Sequence, residues 1–262
     1  MEKLEADIVI VGTGASGLFA ALHAPNDKKV LMLTKSDAEN SDSFLAQGGI
    51  CVLRDKNDFD SFMEDTMKAG HYENRKESVE IMINSSRDII NELIGYGVNF
   101  ATKDGELDYT REGAHSKPRI LFHEDITGKE ITSTLLDAVR KLENVTIMEY
   151  VTMTDIIEKD NVCYGVLAKD AKNNEMSIEA GYTIFACGGI GGLYDHSTNY
   201  PHLTGDAIAI AIQHGIKLEN VDYVQIHPTT LYTKKKGRAF LISESVRGEG
   251  AKPVSYTDLT LP

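Results

Sequence analysis

Asp7 to Val11 (DIVIV) is a short stretch whose Ile8 to Val11 form an unbroken β-branched apolar run. Such a run predicts a strand buried on both faces, because a half-exposed strand alternates apolar and polar positions. It leads directly into Gly12-Thr13-Gly14-Ala15-Ser16-Gly17 and then a helical stretch, Leu18 to Ala24, which Pro25-Asn26-Asp27 ends. Lys29 to Thr34 (KVLMLT) reads as a second buried strand. Strand, glycine turn, helix and strand within about 30 residues form a βαβ unit that opens a parallel sheet.

Helical spacing follows over Phe59 to Ala69 and Arg75 to Ile94. In the second helix Val79, Met82, Ile83, Ile90 and Leu93 share one face, with Gly95 and Gly97 as stops. Residues 100–120 are polar and turn-rich. A further helix fits Glu130 to Leu142, with Ile131, Leu135, Ala138 and Leu142 on one stripe. Val145–Tyr150, Asp155–Glu158, Val162–Lys169 and Glu175–Ala180 read as short strands, the last two joined as a hairpin near Lys172-Asn173-Asn174. Tyr182 to Cys187 is another apolar run, ending at Gly188-Gly189, and a helix fits Gly205 to His214, closed by Gly215. The expected fold is α/β: a Rossmann-like parallel sheet with an inserted helical region and a small β-layer.

Composition narrows the partners. With 42% hydrophobic and 26% charged residues the chain is an ordinary globular one. Its net charge of −13 opposes nucleic-acid phosphates and anionic lipid, so neither is expected as a main partner. Cys51, Cys163 and Cys187 are scattered, giving neither a disulfide framework nor metal spacing. No apolar stretch reaches the ~18 residues of a membrane span, and the N-terminus lacks a signal-peptide pattern. A soluble, cytoplasmic, metal-free protein is expected.

The chemistry starts at Gly12, Gly14 and Gly17. In a GxGxxG turn between strand and helix the first glycine allows the tight turn, the second admits a pyrophosphate to the backbone, and the third lets helix pack on strand. The second strand ends in Thr34-Lys35, where NAD sites carry an acidic residue. Lys35 counts against NAD but reaches ribose or phosphate; a solvated loop lysine is the bland alternative. In Ser41 to Ile50 (SDSFLAQGGI), Gly48-Gly49 allows backbone to lie flat against a planar group, and Ser43 and Gln47 offer hydrogen bonds. Asp206, near a helix start, is a favoured first-turn carboxylate on its own terms.

GTGASG, AQGG, TREGAHS (110–116), CGGIGGLY (187–194), STNYPHLTGDAIAIA (197–211), QIHPT (225–229) and SESVRGEGA (243–251) occur in one order. Together they resemble the flavoprotein family of L-aspartate oxidase, succinate dehydrogenase and fumarate reductase, over Ile8 to Ala251. The resemblance implies FAD, with contacts from the glycine turn, Ala15, Ser16, Lys35, Ser43, Ala46, Gln47, Gly48, Gly49, Val151, Gly188, Gly189 and Asp206. The membrane-associated members place a His, covalently bonded to FAD, four residues before the Ala of AQGG. Here that position is Asp42, so covalent attachment there is excluded and FAD is expected to be non-covalent.

The segment around Glu112 resembles the aspartate-oxidising branch most closely. There a carboxylate is placed to pair with the substrate ammonium, which succinate lacks. By the same resemblance His227 donates to a substrate carboxylate, and Ser243 and Glu244 lie beside the substrate, Ser243 standing where Thr is common. The implied reaction oxidises L-aspartate to iminoaspartate, with oxygen or fumarate as acceptor. It is the first step of de novo NAD biosynthesis, linked to quinolinate synthase. The alternatives are a soluble fumarate-reducing or succinate-oxidising relative and a non-catalytic flavin-binding fragment.

The resemblance stops after Ala251. The expected division is an FAD-binding domain over 1–220, the beginning of a capping domain over 221–251, and a tail over 252–262 foreign to the family, from an artefact or a truncated gene. The family's Arg base sits in an Ala-Pro-Arg-Asp type segment absent from this sequence, and Arg247 of RGEGA does not replace it. A chain without that base is expected to be inactive.

Overall fold

The structure is a computed structural model. It describes residues 1–227, 229–231, 234, 237–243, 246 and 250–252. In chain order its elements are β1 (Glu2–Val11), α1 (Ala15–Leu22), β2 (Val30–Leu33), α2 (Asp42–Leu45), β3 (Ile50–Cys51), α3 (Phe59–Ala69), α4 (Lys76–Tyr96), β4 (Thr102–Lys103), β5 (Glu106–Leu107) and β6 (Ile120–Leu121). There follow α5 (Thr127–Val139), β7 (Val145–Met148), β8 (Thr152–Lys159), β9 (Val162–Lys169), β10 (Glu175–Phe185) and α6 (Asp206–Gln213). They fall into two compact units. The first comprises Met1–Leu45, Thr132–His227 and the described part of Leu231–Phe240; the second comprises Ala46–Ile131 with Thr229, Thr230 and the described residues from Leu241 on.

The first unit is built on a six-stranded sheet in the order β7-β2-β1-β10-β9-β8. β1 lies parallel between β2 and β10, and β2 is parallel to β7. β9 runs antiparallel to both β10 and β8, so the small β-layer continues the parallel sheet. The central strands are apolar because they are covered on both faces: Val9, Ile10, Val30, Met32 and Leu33 are fully buried. Val9, Leu31, Val151, Val166, Ile178 and Ile210 belong to one core cluster. α6 is tied to β8 where His214 Nε2 donates to Asp155 Oδ1 at 2.7 Å.

Several elements differ from their sequence pattern. The runs Glu175–Ala180 and Tyr182–Cys187 are one strand, β10, because the parallel register with β1 passes from Ala6↔Ala180 to Ile8↔Tyr182 without a break at Gly181. That pairing also lengthens β1 back to Glu2. α5 starts three residues before the expected position and buries Leu135, Leu136 and Val139, where the expected stripe ran through Ala138 and Leu142.

In the second unit α3 and α4 enclose Phe62, Met63, Val79 and Ile83. On the α4 face Val79, Ile83, Ile90 and Leu93 are buried, while Met82 is exposed. The helix ends at Gly97, whose left-handed conformation closes its last turn. β3 pairs antiparallel with β6, and a bridge from Thr110 to Ile120 closes the loop between them.

Candidate cofactor and substrate site

The carboxyl ends of β1, β2 and β10 open onto one cavity of about 150 Å³ in the first unit. This is where open α/β sheets take their ligands. Gly12, Gly14 and Ser16 line it from the first turn, Lys35 from the end of β2, Ser43 from α2, Val151 before β8, Gly188 after β10 and Asp206 from α6. Val11, Leu33, Val151 and Met153 supply apolar wall.

The glycine turn is dictated by contact. Gly12 has φ 115°, and a Cβ there would sit 2.2 Å from the Ala186 carbonyl oxygen. Gly17 is not in the cavity wall; a Cβ on it would meet the Gly12 carbonyl at 2.1 Å, so it packs α1 onto the turn. Gly14 caps α1 without any side-chain cap, and the first turn carries no acidic residue. The helix therefore presents backbone N–H groups and its positive end to this cavity. One of those groups is used internally: the Ala15 N–H donates to Ser43 Oγ at 3.1 Å.

Opposite the turn stands a polar cluster. Lys35 Nζ lies 2.8 Å from Asp206 Oδ2 and donates to Thr204 Oγ1 at 2.7 Å, and the Thr204 hydroxyl donates to Asp206 Oδ1 at 2.6 Å. Gly189 is outside the wall, its carbonyl taking the Gly205 N–H. Asp42 accepts the Tyr200 N–H at 2.9 Å, and burial pushes its carboxyl above the usual range. Burial likewise pushes the His202 imidazole down and the Cys187 thiol up to about 11.

In the second unit Ala46, Gln47, Gly48 and Gly49 form the turn before β3. The Ala46 carbonyl takes the Gly128 N–H. Among the described residues Gln47 Oε1 is buried with no hydrogen-bond partner, an acceptor whose desolvation none of them offsets. Glu112 comes to this turn from 63 residues away: its Oε1 accepts the Gly49 N–H at 3.1 Å, and a Cβ on Gly48 would lie 3.3 Å from its carboxylate. Ser243 donates to Asp125 Oδ1 at 2.5 Å. His227, in the first unit, is half-buried. Glu244 and Arg247 lie outside the described residues.

Sequence reasoning missed several residues here. Asn40, Ser41, Cys187, His202 and Thr204 line the cavity. Thr204 was findable as the neighbour of Gly205 and Asp206; Cys187 reads as a buried small hydrophobe until β10 places it at a strand end. Among the described residues no group of three or more His, Cys, Asp or Glu is placed to hold a metal ion, and no helix is long and apolar enough to cross a membrane.

A family of sequences described as an FAD binding domain matches residues 7–255. The chain belongs to this FAD binding domain family. Its residues fit that cofactor: a glycine turn at an uncapped helix start for a pyrophosphate, apolar wall beside it, and an orphaned buried acceptor at Gln47. FAD is the cofactor of this FAD binding domain.

The chain is 46% identical over 252 residues to an L-aspartate oxidase of Clostridium perfringens (strain 13 / Type A), covering 95% of this chain and 57% of that protein. It is 47% identical over 268 residues to an L-aspartate oxidase of Clostridium acetobutylicum, covering 99% and 61%. It thus spans roughly three-fifths of these relatives. Among solved structures, an E. coli quinol fumarate reductase superposes with a TM-score of 0.91 at 27% identity, covering 99% of this chain and 45% of that one. Mycobacterium smegmatis Sdh1 in complex with UQ1 gives 0.84 at 29% identity, covering 95% and 44%.

Proposed function

We propose that this chain is the FAD-carrying part of an enzyme that oxidises L-aspartate to iminoaspartate, with oxygen or fumarate as acceptor. The observation that carries the proposal is Glu112, whose carboxylate is held against the Gly48-Gly49 turn by the Gly49 N–H. A carboxylate there pairs with a substrate ammonium and has nothing to pair with in succinate. The identity to two L-aspartate oxidases over nearly the whole chain points the same way.

When bound, FAD accepts the hydride; the residues bind and orient. In this proposal Gly12, Gly14, Ala15 and Ser16 hold the pyrophosphate at the start of α1. Lys35, Ser43, Ala46, Gln47, Gly48, Gly49, Val151, Gly188, Gly189 and Asp206 would contact the rest of the cofactor. Asp42 makes no covalent link, so FAD is held by contacts alone. Glu112 takes the substrate ammonium. His227 and Ser243 donate to its carboxylates, the Ser243 hydroxyl turning from Asp125, and Glu244 is assigned a further substrate contact. The pathway is de novo NAD biosynthesis in the cytoplasm, with quinolinate synthase consuming the product.

A second reading, a fumarate-reducing or succinate-oxidising flavoprotein, is favoured by the fumarate reductase superposition. The test loads the chain with FAD and titrates L-aspartate and succinate anaerobically while recording the flavin spectrum. Perturbation by aspartate, weakened by Glu112→Gln about tenfold, is the expected result. A response to succinate alone overturns the first reading in favour of the second.

A further inference from the structure

The loop carrying Glu112 is fastened to a buried ionic cluster outside the cofactor cavity. Arg119 is wholly buried. Its Nε and Nη2 donate to the two oxygens of Asp58, each at 2.9 Å, and its Nη1 donates to Asp65 Oδ2 at 2.6 Å. Nη2 also donates to Ser61 Oγ at 3.1 Å, and the guanidinium lies 4.8 Å from the Phe62 ring centre. The Arg119 guanidinium holds the Asp58 carboxyl well below the usual range. Burial pushes Asp65 up, but its bonds to Arg119 and Ser116 together outweigh that and lower it.

Three consecutive loop residues hang from this cluster. Arg119 Nη1 is 3.1 Å from His115 Nδ1; a guanidinium only donates, so that nitrogen accepts. Ser116 donates to Asp65 Oδ2 from both N and Oγ, each at 2.7 Å. Lys117 Nζ lies 3.3 Å from Asp58 Oδ1. The residue that begins the trio is three positions after Glu112. Burying a guanidinium with two carboxylates offsets much of their mutual attraction, and apolar side chains of equal volume stabilise as well. What the cluster adds is direction, through bonds of fixed geometry.

We propose that the Asp58–Asp65–Arg119 cluster positions Glu112, fixing its loop so that the carboxylate meets the ammonium of an amino dicarboxylate. Asp65 and Arg119 are positioning residues in this scheme. It rests on the role given to Glu112 above.

Asp65→Asn removes the charge, Asp65→Glu restores it, and Ser116→Ala is the mild variant should Asp65→Asn fail to fold. The first readout is hydrogen exchange at the Gly49 amide, which Glu112 accepts, against Val9 and Ile10 in β1. Asp65→Asn should speed Gly49 exchange about tenfold with β1 unchanged, Ser116→Ala should do so less, and Asp65→Glu should reverse it. Gly49 exchange that stays put, or rises only in step with β1, overturns the proposal. The second readout is the ratio of L-aspartate to succinate dissociation constants on the FAD-loaded chain. Asp65→Asn and Glu112→Gln should both raise it. If Glu112→Gln leaves the ratio unchanged, the role of Glu112 fails; if only Asp65→Asn leaves it unchanged, the positioning proposal fails alone.

Discussion

Gly12 shows how much one residue of this chain is constrained. Its φ of 115° and the 2.2 Å approach of the Ala186 carbonyl leave no room for a side chain. Gly12→Ala should cost about 1–3 kcal/mol from the backbone alone and abolish FAD binding, as measured by thermal unfolding and flavin fluorescence. This position was legible because the motif's chemistry is local: strand, turn and helix lie side by side in sequence. Arg119 was not legible. It sits in a polar, turn-rich stretch, and only the fold brings Asp58 and Asp65 to it from about sixty residues away. Its contribution is also pH-dependent. The bond to Arg119 lowers the folded-state carboxyl of Asp58, so the stabilisation is full above the unfolded value near pH ~3.9 and is lost as pH falls toward the lowered folded value. Acid titration of the unfolding free energy should therefore steepen below pH ~4. Asp58→Ala should remove that component and cost about 1–3 kcal/mol at neutral pH, because it takes the bidentate partner from a buried guanidinium that keeps only Asp65.

At the scale of elements, apolar runs identified the strands but not their partners. DIVIV and KVLMLT predict two buried strands, and both are found, adjacent and parallel. The joining of β8 and β9 to the same sheet through β10 could not be read, since alternation along a strand says nothing about its neighbour. Gly181 was misleading for a related reason: a glycine in a strand pattern suggests an interruption, yet β10 passes through it. The two glycines of this hairpin thus make opposite predictions. Gly165 in β9 has φ 130°, and a Cβ would meet the Ile178 carbonyl at 2.0 Å; Gly165→Ala should destabilise by at least about 1–3 kcal/mol. A Cβ on Gly181 finds only the Asp7 carbonyl, at an ordinary 3.4 Å. Gly181→Ala should stabilise by about 0.4–1 kcal/mol through the unfolded chain. Chemical denaturation of the two variants checks both, and a destabilised Gly181→Ala would contradict the continuous strand.

For the whole molecule the division of labour between units gives the sharpest expectation. The chain enters the second unit at Ala46 and returns to the first at Thr132. No linker composition marks either crossing, so the interleaving carries no sequence signal. Each unit has its own apolar cluster, and the cavity that fits the FAD pyrophosphate is lined wholly by residues of the first. The ionic cluster of Arg119 lies wholly in the second. Two perturbations should therefore leave separate footprints in residue-resolved hydrogen exchange. FAD at a hundredfold excess over its dissociation constant stabilises whatever state binds it by about 2.7 kcal/mol. That protection should be greatest in β1, β2 and the turn from Gly12 to Gly17, whose amides surround the cavity. Asp58→Ala should instead raise exchange in α3, β3 and β6, which surround Arg119, and leave β1 at its original rate. An FAD footprint centred on α3 and α4 would place the cofactor away from the glycine turn and remove the basis for its pyrophosphate role.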